Sequence, residues 1–318
     1  MLNPLTLAWR DDLVLTREIT IAGDRTDFYQ RVRAGEFVSL RRGVYMRKDR
    51  WDSMNPDDQY RARVHAAVAF ASGALVVSHV SAAAIWRLPM VGPYPRAIHA
   101  LHQERNGGRS SSALTLHKIG DSALLAEIEG VTVTSLARTV VDVARTTTFT
   151  QAVAVADAAL RRTRIPHAGL PLTDVTKEGL REVLSHIPVA HGTARASRVI
   201  EFADGLADRP GESVSRVNVS LARLTPPILQ QLLRGASGRS YYVDFWWPKF
   251  NLIGEFDGKG KYVDDEFLAG RTPQQALYEE KLREDDLRAA DHRFSRWPWE
   301  VANSMPHLRA HLIAAGLR

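Results

Sequence analysis

The sequence predicts an α/β multidomain chain in three parts: an N-terminal winged helix over 1–55, a middle mixed α/β and helical domain over 56–208, and a C-terminal helix–strand–strand–strand–helix–strand core over 209–318. Three observations carry this reading. The 318 residues exceed one ordinary domain, and a hydrophobic share of 45% suffices for full cores. Asp208-Arg209-Pro210-Gly211 is the clearest break in pattern along the chain. Beyond it, strand-like runs alternate with helical ones in the order αβββαβ.

Residues 16–34 predict two short helices, the first capped by Thr16 and the second by Asp24 or Thr26, with Ala34-Gly35 as the stop. Phe28, Val32 and Phe37 share one apolar face. Phe37 to Met46 reads as two strands around a tight basic turn, Arg41-Arg42-Gly43. Two helices followed by such a ribbon make a winged helix. Its wing would press on phosphates while the helix before it approaches a groove. Charge agrees: of a formal net +6, residues 31–50 supply seven Lys/Arg against Glu36 and Asp49. A concentrated basic segment points to a polyanion partner, and Arg31, Arg33, Arg41 and Arg42 are its candidate contacts.

In the middle part, Pro56 opens a helix with Asp57 and Asp58 in its first turn, running through Phe70. Ala74 to Val77 is strand-like, and Ser81 is placed to cap a helix from Ala82 to Leu88. Strands are expected at Ile98–His102, Leu114–Ile119 and Val131–Thr134, and helices at Leu136–Arg145, Thr150–Arg162, 177–187 and 192–206. After the break come a helix at Glu212–Leu224, strands at Ile228–Leu233, 240–247 and 250–257, a charged helix at 272–290, a strand at 293–299 and a terminal helix at Met305–Leu317.

Composition removes several classes of chemistry. Without cysteine there are no disulfides, thiolate zinc sites or Cys nucleophiles, and a cytoplasmic setting is expected. No run approaches the roughly 20 apolar residues of a membrane span, and the start lacks a secretory pattern. The eleven histidines lack metal-ligand spacing. His79, between Ser78 and Ser81, has no acid partner in view, and helix capping explains the serines. Trp246, Trp247, Trp297 and Trp299 are read as core.

The informative segment is 241–261. Asp244 interrupts one apolar strand, and Glu255 and Asp257 interrupt the next, around a turn at Pro248, Lys249 and Asn251. A buried carboxylate is costly unless a positive group compensates it. Glu255 and Asp257 share a face, and pairing around the turn brings Asp244 near one of them. Three converging acids call for a cation, and oxygen-only ligation favours Mg²⁺ or Mn²⁺. Such an ion polarises a phosphoryl oxygen and activates water. Lys259 and Lys261 are near enough in sequence to stabilise charge on a phosphate. The alternative is that each acid pairs with Lys or Arg. Glu212, in the first turn of its helix, is a further candidate, with the helix dipole as its ordinary explanation.

These residues resemble the restriction-endonuclease-like superfamily, PD-(D/E)xK, and within it the very-short-patch-repair and DUF559 branch. The matching positions are Glu212, Val243-Asp244-Phe245, Glu255-Phe256-Asp257-Gly258, the helix from Glu279 to Arg288 with Lys281, Arg283 and Asp286, and Arg293 to Trp299. The resemblance covers about residues 210–305 and implies a three-layer α/β core, a divalent metal and phosphodiester hydrolysis. Asp257 stands where the superfamily usually has lysine, which leaves Lys259, Lys261 and Lys281, in that order, to supply the positive charge. The N-terminal two-thirds resembles actinobacterial proteins with an AbiEi-type antitoxin region, through Leu40-Arg41-Arg42-Gly43-Val44-Tyr45, Ser78-His79-Val80-Ser81-Ala82-Ala83 and Thr134-Ser135-Leu136-Ala137-Arg138-Thr139. In that family the first piece belongs to a winged helix on operator DNA.

Two functions are therefore expected to compete. One is a metal-dependent DNA endonuclease docked by its winged helix: Asp244, Glu255 and Asp257 hold Mg²⁺ or Mn²⁺, Glu212 adds or positions a ligand, Lys259 meets the phosphate, and Lys261 and Lys281 add DNA contacts. The other is a transcriptional regulator of antitoxin type with a degenerate nuclease domain. DNA is the partner in both. A cognate toxin or other operon-encoded protein follows from the second resemblance, and a two-fold pair would suit double-strand cleavage.

Overall fold

The computed structural model describes residues 11–102, 112–118, 124–165, 167, 169–187, 191–258 and 272–318. It is a mixed α/β chain of two compact units, Met1–Val155 with Arg162–Glu201, and Ala156–Arg161 with Phe202–Arg318. Most of the first two parts expected from sequence falls in unit 1, while residues 156–161 and 202–208 belong to unit 2. No helix among the described residues is long and apolar enough to cross a membrane.

Unit 1 begins with β1 (Leu13–Leu15), a 3-10 turn (Thr16–Glu18), α1 (Ala22–Arg33), β2 (Phe37–Arg41) and β3 (Val44–Arg47). The two helices expected over 16–34 are thus one turn and one helix, and neither Asp24 nor Thr26 caps it. Its N-cap is Ile21, without a side-chain hydrogen bond. The strand β1 pairs antiparallel with β3, giving the order β1-β3-β2. Gly43 turns the hairpin with φ 80, the left-handed region that glycine enters freely. Leu13, Leu15, Val44 and Met46 bury against Ala62 and Ala66 of α3 (Pro56–Phe70), after a short α2 (Lys48–Asp52). Asn55 caps α3 by accepting from the Asp58 N–H, and Pro56 fills the first helical position, where no N–H is needed.

A second sheet in unit 1 holds β4 (Val76–Val77), β5 (Ile98–His102), β6 (Leu114–Lys118), β7 (Leu125–Ile128) and β8 (Val131–Thr134), in the order β6-β5-β4-β8-β7. Helix α4 (His79–Ile85) is fully buried and begins three residues before the expected Ala82. Ser81 does not cap it. The Ser81 hydroxyl lies 2.7 Å from the Tyr60 hydroxyl and accepts from the His99 N–H at 2.8 Å. Helices α5 (Leu136–Thr146), α6 (Phe149–Arg162), α7 (Lys177–Ser185) and α8 (Thr193–Phe202) follow. Arg195 donates to the Thr147 carbonyl and Arg198 lies over the Phe149 ring, so both are engaged within the unit.

Unit 2 runs α9 (Pro210–Leu221), β9 (Ile228–Arg234), β10 (Ser240–Trp247), β11 (Leu252–Asp257), α10 (Pro273–Ala289), β12 (Arg293–Pro298), α11 (Trp299–Ala302) and α12 (Met305–Ala314). The sheet order is β12-β11-β10-β9, antiparallel except for the parallel pair β11/β12. One face packs Phe245, Trp247, Leu252, Phe256 and Trp297 with Leu308 and Leu312 of α12. The buried indoles are satisfied: Trp247 donates to the Thr225 carbonyl and Trp297 to the Ser215 hydroxyl. The other face packs Val243 and Ile253 with Leu287 of α10. Gly254 sits where any Cβ would lie 2.6 Å from Trp247 and 2.7 Å from Trp297.

Candidate active site

Helix α9 brings the first acid to the sheet. Its approach depends on Gly211, since a Cβ there would lie 2.1 Å from the Phe256 ring. The next residue, Glu212, is therefore driven inward and is only 2% exposed. Its Oε2 accepts from the Asp208 N–H at 2.8 Å and from Gln230 at 3.3 Å. Burial, then the charge of Asp244, pushes its carboxyl well above the usual carboxylate range. The helix dipole favours a charge in this first turn, but burial and repulsion outweigh it.

The hairpin supplies the other two acids. Phe245 pairs with Gly254 and Trp246 with Ile253, so continuing this register sets Asp244 opposite Glu255. Side-chain alternation slips at Asp244. Val243 and Trp246, three residues apart, join the same cluster, while Phe245 joins the opposite one. Gln230, opposite on β9, takes a left-handed φ of 46°. Asp244 thereby lies close enough to act on both Glu212 and Glu255, and its Oδ2 accepts from the Phe256 N–H at 3.0 Å.

Glu255 is 2% exposed, and its two oxygens have different fates. Its Oε2 accepts from Arg283 of α10 at 2.5 Å and pairs with Arg296 of β12 at 3.4 Å. Its Oε1 is buried with no hydrogen-bond partner among the described residues. Burial and then Asp244 raise its pKa, against the pull of Arg283 and Arg296. Behind the two arginines stands Glu280, 2.7 Å from Arg283 and 2.5 Å from Arg296. Burial pushes the Glu280 carboxyl up, but Arg283 and Arg296 win and hold it down at about 2. Glu284 adds a contact to Arg296 at 2.7 Å.

Asp257 is the third acid of the expected trio. Asp257 pairs with Pro298 at the end of β11 and is half-buried. Among the described residues, no group of three or more His, Cys, Asp or Glu is placed to hold a metal ion. The pairing of Glu255 with guanidinium groups is the competing outcome that the sequence also allowed. What remains fits a small hard cation: an orphaned buried oxygen on Glu255 with Asp244 beside it. Two carboxylates completed by water or phosphate oxygens suit Mg²⁺ or Mn²⁺, whereas zinc would want histidine or thiolate ligands that are missing here.

Other candidates fall as follows. Lys259 and Lys261 lie outside the described residues. Lys281 is exposed on α10. Arg33 and Arg42 are exposed, and Arg31 pairs with Glu36 at 2.8 Å. Arg41 is half-buried: it lies 4.2 Å over the Phe70 ring, and the same burial lowers its pKa. Asp286 accepts from Ser237 and from the Tyr241 hydroxyl, which gives it a structural task. Sequence reasoning named Arg283 without a role and missed Arg296 and Gln230. The one usable signal was Glu280, Arg283 and Glu284 at helical spacing on one face.

Unit 1 contains a second polar cluster, buried at His79 and half-buried at His99 and His117. His79, with φ 52, stacks on His117 at 3.6 Å between ring centroids and meets the Ser78 hydroxyl at 2.9 Å. His99 Nδ1 and His117 Nε2 are 2.9 Å apart. Burial is the first cause lowering all three pKa values, His117 to about 4. Stacked rings aim their nitrogens past each other rather than at a common ion, so the cluster has the geometry of a neutral, hydrogen-bonded core.

No family model matches the chain. Two Mycobacterium tuberculosis proteins, uncharacterized protein MT2308 of strain CDC 1551 / Oshkosh and uncharacterized protein Rv2248 of strain ATCC 25618 / H37Rv, are each 31% identical to it over 150 residues, covering 47% of this chain and 51% of each relative. The chain spans about half the length of the curated relatives it matches. Among solved structures, the RV2827C protein from Mycobacterium tuberculosis aligns over 72% of this chain and 86% of that one, with 15% identity and a TM-score of 0.38.

Proposed function

We propose that unit 2 is a metal-dependent nuclease with a restriction-endonuclease-like core, and that the segment around α1, β2 and β3 is a winged-helix element that docks it on DNA. The observation that carries the reading is Glu255 Oε1, a buried carboxylate oxygen without a partner among the described residues, close to the charge of Asp244. The order α9-β9-β10-β11-α10-β12, with only the last strand parallel, supports the core, and the order β1-β3-β2 with α1 before the ribbon supports the docking element.

In this reading Asp244 and Glu255 Oε1 hold the cation, which when bound polarises a phosphoryl oxygen and makes a nucleophile of water at neutral pH. Glu212 stays on the helix side, fixed by the Asp208 N–H and Gln230. Burial and Asp244 favour its protonated form, which suits a proton-holding role beside the cation ligands. Asp257, at the strand end, orients water. Lys259 and then Lys261 meet the phosphate, with Arg283 as the fixed cation behind Glu255.

A second reading has one specific observation in its favour. Glu255 Oε2 already meets two guanidinium groups, and Asp257 replaces lysine, as in a nuclease fold retained for clamping DNA in a transcriptional regulator. Incubating the protein with supercoiled plasmid in Mg²⁺, in Mn²⁺ and in chelator separates the two. The nuclease nicks DNA only with metal, and Glu255→Gln loses at least about 100-fold of that rate while still shifting DNA on a gel. Shifted, intact plasmid in every condition supports the regulator.

A further inference from the structure

Glu255 is asymmetric in a way that constrains what it can bind. Its Oε2 is committed to Arg283 at 2.5 Å and Arg296 at 3.4 Å, and both arginines are themselves held by Glu280. Arg283 is also fixed by donating to the Tyr242 carbonyl at 3.1 Å. Arg296 is fixed by the sheet, since Glu255 and Arg296 are register partners on parallel strands. Rotating the carboxylate to offer both oxygens would break a charge-assisted bond in a site where Glu255 is 2% exposed. Only Oε1 is left to act.

We propose that Arg283, backed by Arg296, is a positioning residue that restricts Glu255 to single-oxygen coordination and thereby sets the cation preference of the site. This rests on Asp244 and Glu255 being the cation ligands. A small ion with strict octahedral geometry, such as Mg²⁺ or Mn²⁺, is content with one oxygen from each of two carboxylates plus water or phosphate oxygens. Ca²⁺ takes six to eight oxygens and gains from a carboxylate that supplies two. The clamp denies it the second oxygen. The same contact gives the arginine pair a task that a surface salt bridge would not have.

The test is calorimetric titration of the full chain with Mn²⁺ alone and with Ca²⁺ alone, without nucleic acid. Wild type is expected to bind Mn²⁺ more tightly than Ca²⁺. Arg283→Gln removes the short ionic bond to Oε2 and leaves only the 3.4 Å contact with Arg296, so Ca²⁺ gains more than Mn²⁺, and the Mn²⁺/Ca²⁺ affinity ratio falls at least about fivefold. Removing a positive charge strengthens both divalent ions alike, so the ratio isolates the coordination mode. Arg296→Gln, at the longer contact, shifts the ratio in the same direction by less and decides the matter if Arg283→Gln does not fold. An unchanged ratio in a folded variant, with Mn²⁺ binding still lost in Glu255→Gln, overturns the clamp and leaves the cation site standing. Wild type and Glu255→Gln titrating alike removes the cation site and the clamp together.

Discussion

Each unit holds a cluster of three titratable side chains, buried at His79 in one and at Glu212 and Glu255 in the other and half-buried at the rest, and the two clusters are finished differently. In unit 1, His79 meets Ser78 and stacks on His117, His117 meets His99, and the neighbouring Ser81 is closed by Tyr60 and the His99 N–H. In unit 2, Glu212 and Glu255 both feel Asp244, and Glu255 keeps one oxygen without a partner. Neutral imidazoles can both donate and accept, so three of them can close among themselves. Carboxylates held this close must give up charge or take a positive partner from outside. The first cluster therefore works for the fold, and the second is held at a cost that the fold alone does not explain.

The sharpest way to break this comparison is His79→Ala. The substitution opens a cavity at a side chain only 6% exposed, takes a partner from Ser78 and leaves the His117 ring without its stack. It should cost about 2–4 kcal/mol of unit 1 stability, read from the urea midpoint, with Mn²⁺ binding unchanged. A variant as stable as wild type, or one that loses the ion, would show that the histidines are not simply structural.

Acid should act on the same cluster, with a somewhat smaller effect. Its rings face one another and the guanidinium groups of Arg138 and Arg145, all of which oppose protonation of His79 after burial itself. In the unfolded chain histidine takes up its proton near pH 6.5, while folded His117 resists until about 4. The unfolded state thus binds protons first, and stability falls as pH falls across that window. His117 alone should contribute on the order of 1–2 kcal/mol once its partial exposure is allowed for. Chemical unfolding at pH 7 and pH 5 measures it. Equal stability at the two would mean that the rings are already charged or open to water.

On the carboxylate side the expected sign reverses. Glu212→Gln keeps an oxygen for the Asp208 N–H and removes the charge that burial and Asp244 oppose. Without metal at pH 7 it should raise the stability of unit 2 by about 1 kcal/mol, as functional residues often do when neutralised. A lower melting temperature would indicate that Glu212 is already relieved of its charge, and the contrast between the clusters would narrow.

How much of this could be read beforehand depends on the range of each interaction. The hairpin of β10 and β11 was legible because alternation and the turn at Pro248–Asn251 are local, and Asn251 does take a left-handed φ of 44. Strand β1 was not, since three residues carry no period. Helix α4 was placed one turn late because Ser81 looks like a cap, while its hydroxyl serves Tyr60 and His99 across the sheet. The site was half legible. Asp244 and Glu255 announce themselves as acids in apolar strands, while Glu212, in a helix first turn, looks like an ordinary partner of the dipole. Arg283, which reaches Glu255 from 28 residues away, sits in a helix crowded with charge and differs from its neighbours only after folding.

The smallest effect tests the same principle on adjacent side chains of the basic turn. Arg41 is engaged: its guanidinium covers Phe70 at 4.2 Å and donates weakly to the Ala67 carbonyl at 3.5 Å. Arg42 is exposed. If engaged groups serve the fold and unengaged ones serve partners, the two substitutions should separate cleanly. Arg41→Ala should cost about 0.5–1 kcal/mol of stability through the lost ring contact and its packed stem. Arg42→Ala should leave stability within about 0.5 kcal/mol and reduce the slope of log DNA affinity against log salt by about 0.9, the signature of one phosphate contact. Binding measured at several salt concentrations reads that slope. An Arg42→Ala variant with the wild-type slope would remove the basic turn from the proposed DNA contact, and a loss of slope only in Arg41→Ala would exchange the roles of the two arginines.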